Sequence, residues 1–283
     1  MQSAASVNGY ANGLSVLMRR GIKRTTSTVS PFALLIDPDV LAAAPERLTQ
    51  ADVAELEAAA ADRGMDPLIN ALTVGGLAIA AAHSTAPLSG SEHLMSHVVD
   101  MVAAHRHDAH DFHGAQVGAG AVVFAALWRH LLADPAHVHR PDGPPRPTLS
   151  DLEERSRRAW EAVDPGGGLG RDCWAVAGGK WQSLLADSTA VDALLATWGE
   201  HLVALDGVID AVDRPLATLE AWGAPTAFAD LDPARDDDAV RWVLRALPFV
   251  RDRFTVVDLL VLTGRWDDEL IDHLVAASHA STR

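Results

Sequence analysis

Ten of the chain's thirteen histidines fall between His83 and His139. Random scatter would not concentrate them so, although a histidine-rich stretch can also be surface composition. The arrangement within it is more informative. His93, His97 and Asp100 recur at i, i+4 and i+7, which places two imidazoles and a carboxylate on one stripe of a helix. Leu94, Met95, Val98, Met101 and Val102 form an apolar face beside that stripe. His113 follows a polar loop and stands immediately before a long apolar segment. Imidazole nitrogens, usually with a carboxylate and an open position, are what zinc or iron requires. Spacing alone leaves two readings open: a metal site, or capping and core histidines.

Other reactive types carry less. Cys173 is the single cysteine, so no disulfide framework can form, which suits a reducing cytoplasm. It stands beside Trp174 with no accompanying base, a packing position more than a nucleophile. Gly166-Gly167-Gly168-Leu169-Gly170 does not fit the dinucleotide-binding G-x-G-x-x-G, follows no strand and reads as a flexible loop over Asp164–Arg171. The basic run Arg19-Arg20-Gly21-Ile22-Lys23-Arg24 reads as a solvated turn in preference to a phosphate-facing patch.

The elements that must position these residues are mostly helical. The chain has 283 residues, 48% apolar and 22% charged, enough to bury a core. Its net charge of −15 argues against a nucleic-acid partner, which would need a basic face. The N-terminus carries no signal-peptide pattern, and the longest apolar stretch, Ala71 to Ala82, is too short for a membrane span, which needs about 20 residues. Phe32–Ile36 reads as a short buried strand, closed by Asp37-Pro38-Asp39. From about Leu41 the pattern is helical. Pro67 opens a helix to Ala82; residues 92 to about 104 form a second; Gly114 to Leu132 form a third, apolar all round and therefore buried. Pro135 to Leu149, with five prolines, is a surface connection. Amphipathic helices follow over 150–162 and 180–222, and a last helical block runs from Asp236 to Ala277. We therefore expect a small β-containing part at 1–45 and a helical domain at 46–283.

Pro87-Leu88-Ser89-Gly90-Ser91-Glu92-His93-Leu94-Met95-Ser96-His97 resembles the SG-S/A-EH-xx-SH signature of sn-glycerol-1-phosphate dehydrogenases, and His113-Gly114-Ala115-Gln116-Val117-Gly118 resembles their HG-x-x-VG segment. Ser3-Ala4-Ala5-Ser6-Val7-Asn8-Gly9-Tyr10 resembles the TxAS-x-DG loop that ends the family's nucleotide-binding domain. Gly21-Ile22-Lys23-Arg24, Leu41–Pro45, Trp222–Pro225, Arg251–Thr255 and Gly264-Arg265-Trp266 extend the likeness over almost the whole chain. The resemblance implies a mainly α chain: the helical domain of the dehydroquinate synthase-like and iron-containing alcohol dehydrogenase fold, with a remnant of the α/β nucleotide-binding domain.

It also implies roles. His93 and His113 would be metal ligands, and His97 a substrate contact beside the metal. Ser3 and Ser6 would line the nicotinamide. Asn8 stands where the family has a substrate-binding aspartate, and Asn12 where it has a cofactor-contacting serine. The cofactors implied are zinc or iron and NAD(P). The partner is a polyol phosphate in phospholipid metabolism, with homo-oligomerisation allowed. The family's glycine-rich βαβ unit lies upstream of the TxAS-like loop, so the chain is expected to be N-terminally truncated or to start from a late-assigned codon. The family's metal aspartate has no GD segment here; Asp52 is the nearest carboxylate, and it equally suits a helix's first turn. These gaps set a second reading beside the NAD(P)-linked oxidoreductase: an inactive paralogue that keeps the helical fold, binds NAD(H) poorly and holds metal weakly. A sugar-phosphate cyclase of the dehydroquinate synthase type is a lesser reading, which the Ser-Gly-Ser-Glu-His motif disfavours.

Overall fold

In a computed structural model the structure describes residues 14–19, 21–27, 73–74, 76–77, 80–83, 89–138, 143–209 and 214–280. Among these the protein is mainly α, as the periodicity predicts. Strands β1 (Leu14–Arg19) and β2 (Ile22–Ser27) form an antiparallel hairpin with Leu14 opposite Ser27 and Arg19 opposite Ile22. Gly21 in the two-residue turn has φ 78°, open to glycine at little cost. The basic run is thus a strand pair about a turn, and only part of it is solvated: Ile22 is fully buried while Arg24 is exposed. The strand expected at Phe32–Ile36, the boundary at 45/46 and the start of the Pro67 helix lie outside the described residues. Residues 73–74, 76–77 and 80–82 of that helix are helical.

The chain divides into two compact units, residues 1–122 with 214–235, and residues 123–213 with 236–283. In the first, α1 (Ser91–Arg106) buries Leu94, Met95, Val98 and Met101. It ends where His107 turns left-handed at φ 59° and its amide reaches back to the Ala103 carbonyl, which Asp108 N also donates to. The next helix, α2 (His113–Ala133), begins in this unit. Gly120 on α2 is needed there, since a Cβ would lie 3.0 Å from the Glu92 carbonyl oxygen. Val122 packs with Leu219 and Ala224, Leu219 lying on α7 (Arg214–Trp222). Among the described residues, α2 is long and apolar enough to cross a membrane by length and composition. Most of it is buried inside the protein, the behaviour of a core helix.

In the second unit α3 (Leu149–Glu161) starts at a Thr148/Asp151 capping box. The glycine-rich segment proves shorter as a loop than its composition predicts, because α4 (Gly168–Ala186) already includes Gly168 to Arg171. Gly167 takes φ 70°, and the Asp164 carboxylate accepts Gly166 N at 3.0 Å and Leu169 N at 2.7 Å, so the glycines cap a helix. A Cβ at Gly170 would lie 3.0 Å from Trp160 Cβ, which shows how closely α4 approaches α3. The expected helical run 180–222 is broken into α4, α5 (Thr189–Ala196), α6 (Trp198–Ile209) and α7. The final block is α8 (Asp237–Ala246), a 3-10 turn at Leu247–Phe249, α9 (Val256–Leu262) and α10 (Asp268–Ala280). The core is rich in indole: Trp160 and Trp181 are fully buried, and Trp242 and Trp266 donate to Ala159 O and Leu244 O. Cys173 is buried, a packing residue.

Candidate functional site

The histidine stripe and the start of α2 meet in the first unit. The His93 and His113 rings are 5.4 Å apart between centroids and meet edge-on. His97 and His113 are 5.6 Å apart and nearly parallel. Both helices take part because α1 turns His93 and His97 to one side at i and i+4, while His113 is the first residue of α2. The boundary matters: His113 lies in the helix's first turn, not in the loop before it.

Hydrogen bonds fix what each ring can offer. His93 Nδ1 is 3.0 Å from Glu92 Oε1, which also accepts Gly90 N at 2.8 Å. Burial opposes ionisation of Glu92, but the bond to His93, the His93 charge and the Gly90 amide outweigh it and hold the carboxyl below its ordinary value. An ionised carboxylate can only accept, so His93 Nδ1 is the donor in this bond.

His113 is fixed by a longer chain. Gln116 faces two acceptors, Asp100 Oδ1 at 3.1 Å and the Asp111 carbonyl at 3.0 Å, so its amide nitrogen points that way. Its Oε1 must then accept, and Ser96 Oγ donates to it at 2.7 Å. With its proton spent, Ser96 accepts from His113 Nδ1 at 2.5 Å. His113 is therefore the Nδ1–H tautomer with a lone pair on Nε2. Lys23 Nζ lies 3.5 Å from the same Nδ1, and this longer contact is one donor beside another. Burial first, then the charges of Lys23, His93 and His110, push the His113 pKa well below 6.5, so the ring is neutral at pH 7.

Asp100, on the predicted stripe, is buried and committed elsewhere. Lys23 from β2 pairs with its Oδ2, and His110 Nδ1 lies 3.2 Å from its Oδ1. Asp111 Oδ2 accepts Asp232 N at 2.7 Å, which ties the loop before α2 to the segment after α7. Sequence reasoning missed Glu92, Ser96, Gln116 and Lys23. The first three stand inside the two motifs and could have been found as the polar residues there without a role; Lys23 had no signal beyond its basic run.

The donor chemistry suits a transition metal in part. The His93 and His113 rings lie 5.4 Å apart between centroids, and imidazole nitrogens are ligands that such an ion takes. Among the described residues, however, no group of three His, Cys, Asp or Glu side chains is arranged to hold a metal ion. The remaining site candidates, Ser3, Ser6, Asn8, Asn12 and Asp52, lie outside the described residues.

No protein-family model matches this chain. Curated relatives do. The chain is 26% identical to glycerol-1-phosphate dehydrogenase [NAD(P)+] of Bacillus licheniformis, covering 46% of this chain and 43% of the relative. It is 26% identical to the protein of the same name from Pyrococcus horikoshii, covering 44% and 47%. A shorter match to that of Methanococcus maripaludis reaches 44% identity over 22% and 19%. These shares are smaller than the near-complete likeness expected from the scattered motifs. The chain spans about half the length of the curated relatives it matches. Over those shares, and at the paired histidine motifs, the chain is similar to glycerol-1-phosphate dehydrogenases.

Proposed function

We propose that this chain is the histidine-bearing helical part of a metal-dependent, NAD(P)-linked oxidoreductase acting on glycerol 1-phosphate or a related polyol phosphate. The observation that carries the reading is the His93–His113 pair, 5.4 Å apart between ring centroids, with the Nδ1 of each ring engaged by the protein. His93 and His113 would hold zinc or iron, with Asp52 as a weak third candidate. When bound, the ion would polarise a substrate hydroxyl or carbonyl oxygen, and the nicotinamide would exchange the hydride.

The chain's own residues supply positioning. Glu92 and Ser96 hold the two ligand rings in one tautomer and orientation. His97, buried and parallel to His113, would contact substrate beside them. Asn8 would hydrogen-bond a substrate hydroxyl without adding charge. Ser3, Ser6 and Asn12 would line the nicotinamide. The division at 45/46 into a nucleotide-binding remnant and a helical domain belongs to the same proposal, as does a cytoplasmic location, which rests on the single cysteine.

The alternative is an inactive paralogue, favoured by asparagine at positions 8 and 12 and by the missing GD segment. Glycerol 1-phosphate-dependent reduction of NAD(P)+ by the zinc-loaded chain decides between them. Turnover abolished by His93→Ala and by His113→Ala supports the oxidoreductase; no turnover in the presence of bound zinc supports the paralogue.

A further inference from the structure

A cavity of about 670 Å³ opens in the second unit, away from the histidine motifs in sequence, between α3, α8 and the start of α10. Its volume suits a small organic ligand. In a chain of net charge −15 it is lined by three guanidiniums, Arg155 and Arg158 on α3 and Arg245 on α8.

These arginines are not equivalent. Arg158 Nε donates to Glu154 at 2.7 Å, and Arg245 Nε donates to Asp268 at 2.9 Å. The half-buried Arg155 has neither kind of partner: among the described residues it forms no ion pair within 4.0 Å, and its hydrogen bond is a long one of 3.5 Å to the Trp266 carbonyl. A guanidinium carries five N–H donors in a rigid fork. Most of those on Arg155 are unused by described protein groups, and burial lowers its pKa against the weaker pull of Asp268 and Asp151. The two carboxylates in the lining are already engaged. Asp268 holds Arg245, and Asp267 Oδ1 caps Leu270 N at 2.9 Å. Beside the arginines lies an indole wall. Trp242 and Trp266 spend their N–H groups on Ala159 O and Leu244 O and so present only apolar surface to a ligand.

We propose that this cavity binds a small phosphate-bearing organic molecule, with the phosphate on the Arg155 fork between Arg158 and Arg245 and the carbon skeleton against Trp242. Planar, bidentate capture of a phosphate is what a guanidinium does better than an ammonium.

The test follows the indole N–H resonances of Trp242 and Trp266 in the full chain, titrated with phenyl phosphate, with inorganic phosphate and with neutral phenol. Saturable shifts with both phosphates and none with phenol alone are expected, phenyl phosphate binding the tighter. Arg155→Gln should weaken binding by at least about tenfold, and Arg155→Lys, which keeps the charge but loses the fork, should weaken it by less. His113→Ala should leave the titration unchanged, which separates this site from the histidine site. Shifts that never saturate, that persist unchanged in both Arg155 variants, or that respond equally to phenol would overturn the proposal. Arg155→Lys also guards against a folding defect in Arg155→Gln, since it preserves the cation.

Discussion

Ser96 Oγ sits 2.5 Å from Nδ1 of His113, and the direction of that hydrogen bond is set one residue further on, by Gln116. A serine seventeen positions before a histidine thus decides which ring nitrogen keeps its lone pair. Ser96→Ala should remove the acceptor for His113 Nδ1 and the donor to Gln116 Oε1, both in buried surroundings. We expect a stability loss of about 1–3 kcal/mol by urea denaturation and a zinc affinity weakened by roughly 10–100-fold. Equal zinc affinity in the variant would show that Ser96 does not orient the ring.

The buried pair Lys180–Asp258 offers a separate test in the second unit. Nζ lies 2.7 Å from Oδ1, with the two side chains 5% and 0% exposed, and Asp258 Oδ2 also accepts Thr255 N at the start of α9. Lys180→Met would leave a buried carboxylate uncompensated and should cost about 3–5 kcal/mol. Burial raises the Asp258 pKa even beside Lys180, so the variant should recover part of this loss on acidification as Asp258 takes a proton. Denaturation curves for Lys180→Met at neutral and acid pH check both statements.

Much of the candidate site was legible, and the reason is periodicity. His93, His97 and the apolar face of α1 follow from 3.6-residue spacing, and the apolar run after His113 announced a buried helix. The rest depended on contacts that local pattern does not encode. Asp100 shares the stripe yet is taken by Lys23, 77 positions earlier on a hairpin whose basic run looked like a solvated turn. The glycines at 166–170 looked like a loop because glycine disfavours helix, but Asp164 satisfies the amides they expose and so lets α4 begin among them.

A histidine group in the second unit predicts a pH dependence. His130 and His137 stack at 3.8 Å, with His273 5.2 Å from His130. Burial, then the charges of His137, His273 and Arg265, lower the His130 pKa below 6.5. A lowered histidine pKa means the unfolded chain binds the proton more readily, so this contribution to stability is present above about pH 6.5 and is lost as pH falls through the folded pKa. His130→Gln should therefore show a shallower loss of thermal stability between pH 7 and pH 5 than the wild type; parallel curves would refute the assignment.

Gly264 carries φ 69°, and a Cβ there would lie 2.4 Å from Pro144 Cγ. Gly264→Ala combines a left-handed backbone with a steric clash and should cost at least about 1–3 kcal/mol. A melting temperature equal to that of the wild type would contradict both causes.

We propose that His93 and His113 together bind one metal ion. Zinc titration of the chelator-stripped chain, followed by metal analysis, tests it most directly. One zinc per chain is expected, removable by dialysis against chelator, with affinity reduced at least tenfold by His93→Ala and by His113→Ala alike. Zinc binding that survives both substitutions unchanged, or no zinc bound by the wild-type chain, would contradict it.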